Sequence, residues 1–403
     1  QAETQAETQA EAQAETQTEG QAFPLWRMAL LGVMAGLLAA GALMLILTER
    51  PADLSGETRA TITMPEGAIK TDAFSLRLLQ QAAAEETEGN VTVTPAAVTE
   101  LILAMQALDG HDAEESAERL HLSPTPLAVA TLPALNLQLF ADADQGFDPV
   151  ETLVMSLPLK SDTQRCLSLI NRVSAADAAT DSLVLTDSQL SPDAQMLAVA
   201  DMQWAPTWLH PISELETLPF RSEGGRPKVP MMKSAASYRM AEAEDGSWRA
   251  VALFMRRETE HDSTCFVAVE PRGTLMNFVR GMTPEKLSTI REALLKAPEQ
   301  WVNLQLPELH LSSGGARDML PLLHRMGITP MPLSRSGENK DQAMRGALYV
   351  RFRLDIQRSA ATDTAPSEQA GAPQFALDSP FLWWIGDATS DAPFLFMGAV
   401  AAP

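Results

Sequence analysis

The chain is poor in cysteine, histidine, aromatic side chains and positive charge, and each scarcity removes a class of protein. Two cysteines in 403 residues, Cys166 and Cys265, make no disulfide framework. A structural zinc site needs clustered ligands, and these two are far apart in the chain. Their separation permits one bridge and demands none. The six histidines are scattered singly, so they assemble no His-based metal centre, and neither metal nor cofactor is expected. Thirty Lys and Arg stand against 52 Asp and Glu, a net charge of -22. Nucleic-acid proteins neutralise phosphates with Lys and Arg, so no nucleic-acid partner is expected. Also absent are the G-x-S-x-G elbow, H-E-x-x-H, the P-loop and G-x-G-x-x-G, and no enzyme is expected. Glu260-His261-Asp262 has the residue types of an acid–base cluster, but it reads as the charged tip of a hairpin. Ser312-Ser313-Gly314-Gly315 offers backbone N–H groups to an anion, yet it follows a strand as an ordinary turn does.

What is present divides the chain into four stretches. An apolar content of 45% over this length is enough for a large core in one or two domains. Residues 1–25 begin with the repeat QAET-QAET-QAEA-QAET-QTEG, which has no large apolar side chain to offset the entropy of ordering, and read as a disordered acidic tail. Residues 26–50 read as a membrane anchor: Met28–Thr48 carries no charge, and at about 1.5 Å per helical residue it spans a hydrocarbon core of about 30 Å. Trp26, Arg27, Glu49 and Arg50 flank it as interface anchors. Residues 51–71, with Pro51, Gly56, Pro65 and Gly67, read as a linker, and 72–403 as the folded domain.

Within that domain, helical patterns come first and strands later. Phe74, Leu78 and Leu79 share a face in 73–84; Thr94-Pro95 starts a helix in which Val98, Leu101, Ile102 and Met105 recur at helical spacing. Residues 112–119 predict a short acidic helix. Strands are predicted at 134–140, Met196–Trp204, 302–311 and 348–356, and a hairpin joins 249–255 to 264–270. Leu382-Trp383-Trp384-Ile385 and Phe394–Val400 close the chain as further strands. The predicted class is α+β, with helices packed around large, mostly antiparallel sheets.

Seven segments in order resemble the serpin family. Asn90-Val-Thr-Val-Thr-Pro95 resembles its N-x-x-x-S-P helix opening, with Thr94 for Ser; Thr207-Trp208 resembles a Thr-Trp near the point where its mobile loop enters the sheet. Val229-Pro230-Met231-Met232, Leu306-Pro307-Glu308-Leu309-His310-Leu311 and Leu323–Thr329 are similar to its V-P-M-M, L-P-K-F-x-I and L-x-x-L-G-I-T. Phe375-x-x-Asp378-x-Pro380-Phe381 and Leu395-Phe396-Met397-Gly398 match its end. Residues 121–134 are short where the family carries another helix.

The resemblance implies a suicide substrate for a serine-type endopeptidase. An exposed loop near the C-terminus is cleaved as bait, then enters the main sheet as a new strand and carries the acylated protease away. That loop corresponds to Arg358–Gln374, a polar stretch rich in small residues. Its scissile region is Gln369, Ala370, Gly371 and Ala372: counting from the hinge puts the bond after Ala372, and counting back from Phe381 puts it after Gln369. No Lys or Arg follows Arg358, which points away from trypsin-like proteases and towards elastase-like or subtilisin-like ones. The hinge is Ile356, Gln357, Arg358, Ser359, Ala361 and Asp363, and the loop-entry region is Thr207 and Trp208. The hinge departs from the inhibitory pattern. Arg358 stands where the family has Gly, Asp363 would be buried on insertion, and Pro366 lacks the N–H that a central strand donates. The alternative expectation is a non-inhibitory serpin fold that serves as a binding or scaffold module. The anchor implies a single-pass membrane protein; Arg50, Arg59 and Lys70 against Arg27 favour the large domain inside, whereas the resemblance favours it outside the cytoplasm.

Overall fold

Helix α1 (Lys70–Glu85) opens the folded part and buries Phe74, Leu78, Leu79 and Ala82 along one side. In this computed structural model the described residues are 70–86, 89–109, 134–147, 154–175, 184–256, 263–335, 342–359, 370–388 and 393–403, all within the unit Pro65–Pro403. The expected tail, the anchor at 28–48 and most of the linker lie outside them, as do 112–119, the region 121–133 and Glu260-His261-Asp262. Among the described residues, no helix is long and apolar enough to cross a membrane.

After α1 come β1 (Val91–Val93) and α2 (Pro95–Ala107). Pro95 suits the first turn of α2 because the N–H it lacks would find no partner inside the helix. The chain continues through β2 (Ala134–Asp142), β3 (Val154–Leu157), α3 (Thr163–Ser174) and β4 (Met196–Trp204). Next are β5 (Glu214–Pro219), β6 (Lys228–Glu242), β7 (Trp248–Phe254), β8 (Thr264–Pro271), α4 (Leu275–Arg280) and α5 (Pro284–Lys296). The last elements are β9 (Glu299–Pro307), β10 (Leu309–Ser312), β11 (Arg317–Asp318), α6 (Leu320–Arg325), β12 (Gly346–Ile356), β13 (Gln374–Ala376), β14 (Phe381–Asp387) and β15 (Phe396–Val400).

The strands form two sheets. The first runs β1-β15-β14-β8-β7-β6-β9-β13, with β5 on the free part of β6. The second runs β10-β12-β4-β2-β3, with β11 also on β12. Pairing is antiparallel except at β12–β4, β2–β3 and β13–β9. The core between the sheets is aromatic: Trp204 of β4 stacks on Phe396 of β15 at 6.2 Å, and Phe352 of β12 meets the same ring edge-on at 6.2 Å. Gly398 is required beside them, because a Cβ there would stand 2.6 Å from the Val91 carbonyl oxygen.

One expected strand divides. The alternation over 302–311 suggests a single element, but the chain breaks at Glu308, and β9 and β10 belong to different sheets. Glu308 gives its N–H to the Pro230 carbonyl at 3.0 Å, continuing the β6–β9 register, and Pro230 has no N–H to return, so the ladder stops there. The apolar alternation changes phase across the break, from Val302, Leu304 and Leu306 in β9 to Leu309 and Leu311 in β10. The two cysteines are free, buried and in separate apolar clusters, so no bridge forms.

Candidate functional site

The centre of the second sheet is a direct seam between β4 and β12. They are parallel neighbours in unbroken register over nine positions, from Gly346↔Met196 to Leu354↔Trp204. Alternation gives the seam two faces. Met202, Val350, Phe352 and Leu354 point into the aromatic core. Leu197, Val199, Ala347 and Tyr349 point the other way and join a second cluster with Cys166, Leu167 and Ile170 of α3. Those three residues, with Ser174, recur at helical spacing and form the buried stripe of α3, which packs against β2 and β4. Asn136 of β2 donates to the carbonyls of Val173 at 2.6 Å and Ala175 at 3.1 Å, tying the C-terminal end of α3 to the sheet.

The lower end of the seam is packed to contact. A Cβ on Gly346 would lie 1.8 Å from the Met196 carbonyl oxygen. Gln195 and Met196 both donate their N–H to the Arg345 carbonyl, at 2.7 and 3.2 Å. Nearer the upper end, the α3-side face turns polar. Arg351 meets Asp201 across the seam, Nε to Oδ1 at 2.9 Å and Nη2 to Oδ2 at 2.6 Å. Gln203 adds a third donor to Asp201 Oδ2 at 3.1 Å.

The hinge leaves this seam on the outside. β12 ends at the buried Ile356. The indole of Trp208 donates to the Gln357 carbonyl at 2.9 Å, and the Arg358 N–H donates to Glu308 Oε1 at 3.3 Å. Ser359 is held twice, giving its N–H to the Ile212 carbonyl at 2.7 Å and accepting the Ile212 N–H on Oγ at 3.0 Å. Thr207 and Trp208 lie beyond the end of β4; Trp208 is buried and bridges to Met255, while Thr207 is exposed and accepts the Arg256 N–H at 2.7 Å. The structure thus brings Trp208 to the hinge and leaves Thr207 aside. Ala361, Asp363 and Gln369 lie outside the described residues.

The far end of the loop is held by the other sheet. Ala370 and Gly371 form an exposed turn, with Gly371 at φ 86°, a conformation that favours glycine. Ala372 follows, half-buried. Asn303 then takes the Pro373 carbonyl at 3.0 Å, and β13 pairs with β9. Arg249 anchors this strand: it is paired with Glu270, donates to the Ala376 carbonyl at 2.8 Å, and lies 4.7 Å over the Phe375 ring. Ser379 also bonds Glu270, and Arg221 meets Asp378 at 2.6 Å.

Sequence reasoning missed Ile212 and Glu308 because their contacts join segments distant in the chain. It also missed Asp201 and Arg351, although Asp201 is the lone charge in the apolar run MLAVADMQW, a signal that was there to read. Ser312–Gly315 is a turn: Ser313 Oγ accepts the Phe352 N–H at 3.1 Å, and Gly314 sits at φ 71°. Among the described residues, no group of three or more His, Cys, Asp or Glu is placed to hold a metal ion. The arrangement is mechanical: two parallel strands in contact, and a connection whose ends rest on different sheets.

A family model described as Serpin (serine protease inhibitor) matches residues 148–403, more than half of the chain. The chain belongs to the serpin family. Solved structures similar to this serpin extend the likeness beyond that segment. Maspin is 16% identical with a TM-score of 0.67, covering 83% of this chain and 98% of its own. Uncleaved ovalbumin is 16% identical at 0.67, over 84% and 100%. Thyroxine-binding globulin, in complex with thyroxine, is 17% identical at 0.62, over 83% and 98%. At these identities the likeness concerns the fold alone. No curated protein sequence matches this serpin at a significant level.

Proposed function

We propose that this serpin is a membrane-anchored suicide inhibitor of a serine-type endopeptidase, with residues 28–48 as its anchor and its large domain outside the cytoplasm. The observation that carries the reading is the parallel contact of β4 with β12. A strand that continues from β12 by reversing direction runs antiparallel to both of its neighbours. Insertion therefore replaces one parallel ladder by two antiparallel ones, and antiparallel pairing is the slightly more stable kind per residue. The closed seam is the form in which that gain is still unspent. A cut between the hinge and β13 frees one end of the loop while the other end stays on β12.

The bait is small and uncharged. Ala370, Gly371 and Ala372 suit an elastase-like or subtilisin-like pocket, and the lack of Lys and Arg after Arg358 disfavours trypsin-like ones. The inhibitor needs no cofactor, since the energy comes from strand pairing and burial.

A second reading has specific support. Arg358, Asp363 and Pro366 each oppose entry of the hinge into a central strand, and one similar structure, thyroxine-binding globulin, is a complex with thyroxine. On that reading the protein is a non-inhibitory binding or scaffold module that proteases simply cleave.

The full chain, purified in detergent, is incubated with elastase-like and subtilisin-like proteases. Inhibition is read as an SDS-stable protease complex together with a rise in melting temperature after loop cleavage. Cleavage with neither result selects the second reading. Recovery of the chain in the aqueous phase, without detergent, removes the anchor.

A further inference from the structure

A charge pair bridges the central seam of the second sheet from within. Asp201 and Arg351 are register partners, and their side chains are 0% and 6% exposed. Their two parallel hydrogen bonds form the two-pronged match that suits a guanidinium to a carboxylate. Other ion pairs near the seam differ in kind. Arg353–Asp355 lies within β12, His310–Asp355 joins β10 to β12, and Arg345–Asp193 at the base is 4.0 Å long and solvent-exposed.

We propose that the Arg351–Asp201 pair is a latch that sets the rate at which the seam opens to admit the loop. The proposal rests on the insertion reading above. Adding a strand moves β4 and β12 from about 4.8 Å apart to about 9.6 Å, so the two-pronged contact cannot persist. Most of what the seam loses on opening is replaced by the incoming strand. Its backbone takes up the ladder hydrogen bonds of both neighbours, and its side chains refill the apolar faces. An incoming backbone has no counter-charge for a buried guanidinium and carboxylate, so this interaction is broken without a like replacement.

The position of the pair adds a sequence of events. Counting from the hinge end, Leu354↔Trp204, Arg353↔Gln203 and Phe352↔Met202 separate before it. The loop enters freely over those three positions and then meets the latch. Arg351 and Asp201 are positioning residues in this process, acting on the sheet and not on the protease.

The test uses the full chain in detergent micelles, with two measurements. Hydrogen–deuterium exchange is followed at the amides of Met202–Trp204 and Phe352–Leu354 in the intact protein. The loop is then cut with subtilisin, and the gain of heat resistance is timed. D201N preserves side-chain size and leaves Arg351 an amide oxygen, so it is the variant chosen to fold; R351Q leaves a buried carboxylate with weaker donors. Each is expected to raise seam exchange, and to shorten the time to heat resistance, by at least about tenfold. The double variant D201N/R351Q is expected to go no faster than the faster single. Amides of β7, β8 and α5, away from the seam, keep their wild-type exchange, which a general loss of stability would not allow. Wild-type exchange and timing in D201N overturn the latch and leave the insertion reading standing. A cut wild type that never gains heat resistance overturns the insertion reading and the latch with it.

Discussion

The indole N–H of Trp208 donates to the carbonyl of Gln357 at 2.9 Å, joining the segment after β4 to the first residue beyond β12. The bond crosses 149 positions of sequence and fastens the hinge at the mouth of the seam. The ring is buried and meets Phe266 edge-on at 6.1 Å, so the donor is held in place by the core of the first sheet. Hinge and core are thus coupled through one side chain.

Replacing Trp208 by Phe removes that donor and leaves a gap beside Phe266. The expected loss is about 1–3 kcal/mol of unfolding free energy, measured by urea denaturation. Because Gln357 is released, the hinge is also expected to be cut faster in limited proteolysis. An unchanged rate of cutting, with lowered stability, would restrict Trp208 to a packing role.

Gly346→Ala drives a methyl group into the Met196 carbonyl oxygen at the base of the seam. Both partners are backbone, so no rotamer change relieves the clash, and β12 must shift from β4. Destabilisation of about 1–3 kcal/mol is expected, read as a lowered melting temperature. Faster seam exchange near Leu197 and Ala347 should accompany it.

Alkaline pH should weaken the fold through groups that are neutral when buried. Burial pushes the Tyr349 phenol up to about 12 from 10.0, with the Asp318 charge adding to the effect, and pushes the Cys265 thiol up to about 12 from 9.0. Both raised groups hold their protons more tightly when folded. Their contribution is complete below the unfolded values and is lost as pH rises towards 12. Melting temperature should therefore fall from about pH 9 upward, first through Cys265 and then through Tyr349. Tyr349→Phe should flatten the upper part of that fall, although it sacrifices the bond from the hydroxyl to the Gln189 carbonyl. A fall of equal steepness in Y349F would count against this assignment.

Arg249→Ala removes one of the two arginines paired with Glu270, the donor to Ala376 and the cation over Phe375 together. Glu270 is left largely buried, keeping its bond from Ser379 and the longer pairing with Arg221 at 3.6 Å. A loss of about 2–4 kcal/mol is expected in chemical denaturation. Exchange at Phe375–Leu377 should rise, since β13 has only three ladder residues on β9. Protection there equal to wild type would mean that the β9 ladder alone suffices.

Much of the fold was legible because strand and helix patterns are local. Met196–Trp204 was bounded correctly by its apolar run, and Pro95 marked the start of α2. The division of 302–311 was legible only as a change of phase, from Val302, Leu304 and Leu306 to Leu309 and Leu311 across Pro307-Glu308. Helix α3 was missed, although its stripe of Cys166, Leu167, Ile170 and Ser174 has helical spacing; its polar remainder makes it resemble a surface segment.

The sequence by itself determined the family and the small-residue composition, free of Lys and Arg after Arg358, of the stretch between β12 and β13, because order of motifs and side-chain chemistry are properties of the chain. Only the tertiary structure decided that β4 and β12 touch, that Asp201 meets Arg351 and that Ser359 rests on Ile212. Those partners are about 150 positions apart, and nothing local distinguishes a charge paired across a sheet from one facing water. Pairing between distant strands is settled by the joint burial of both sheet faces, which no single segment encodes.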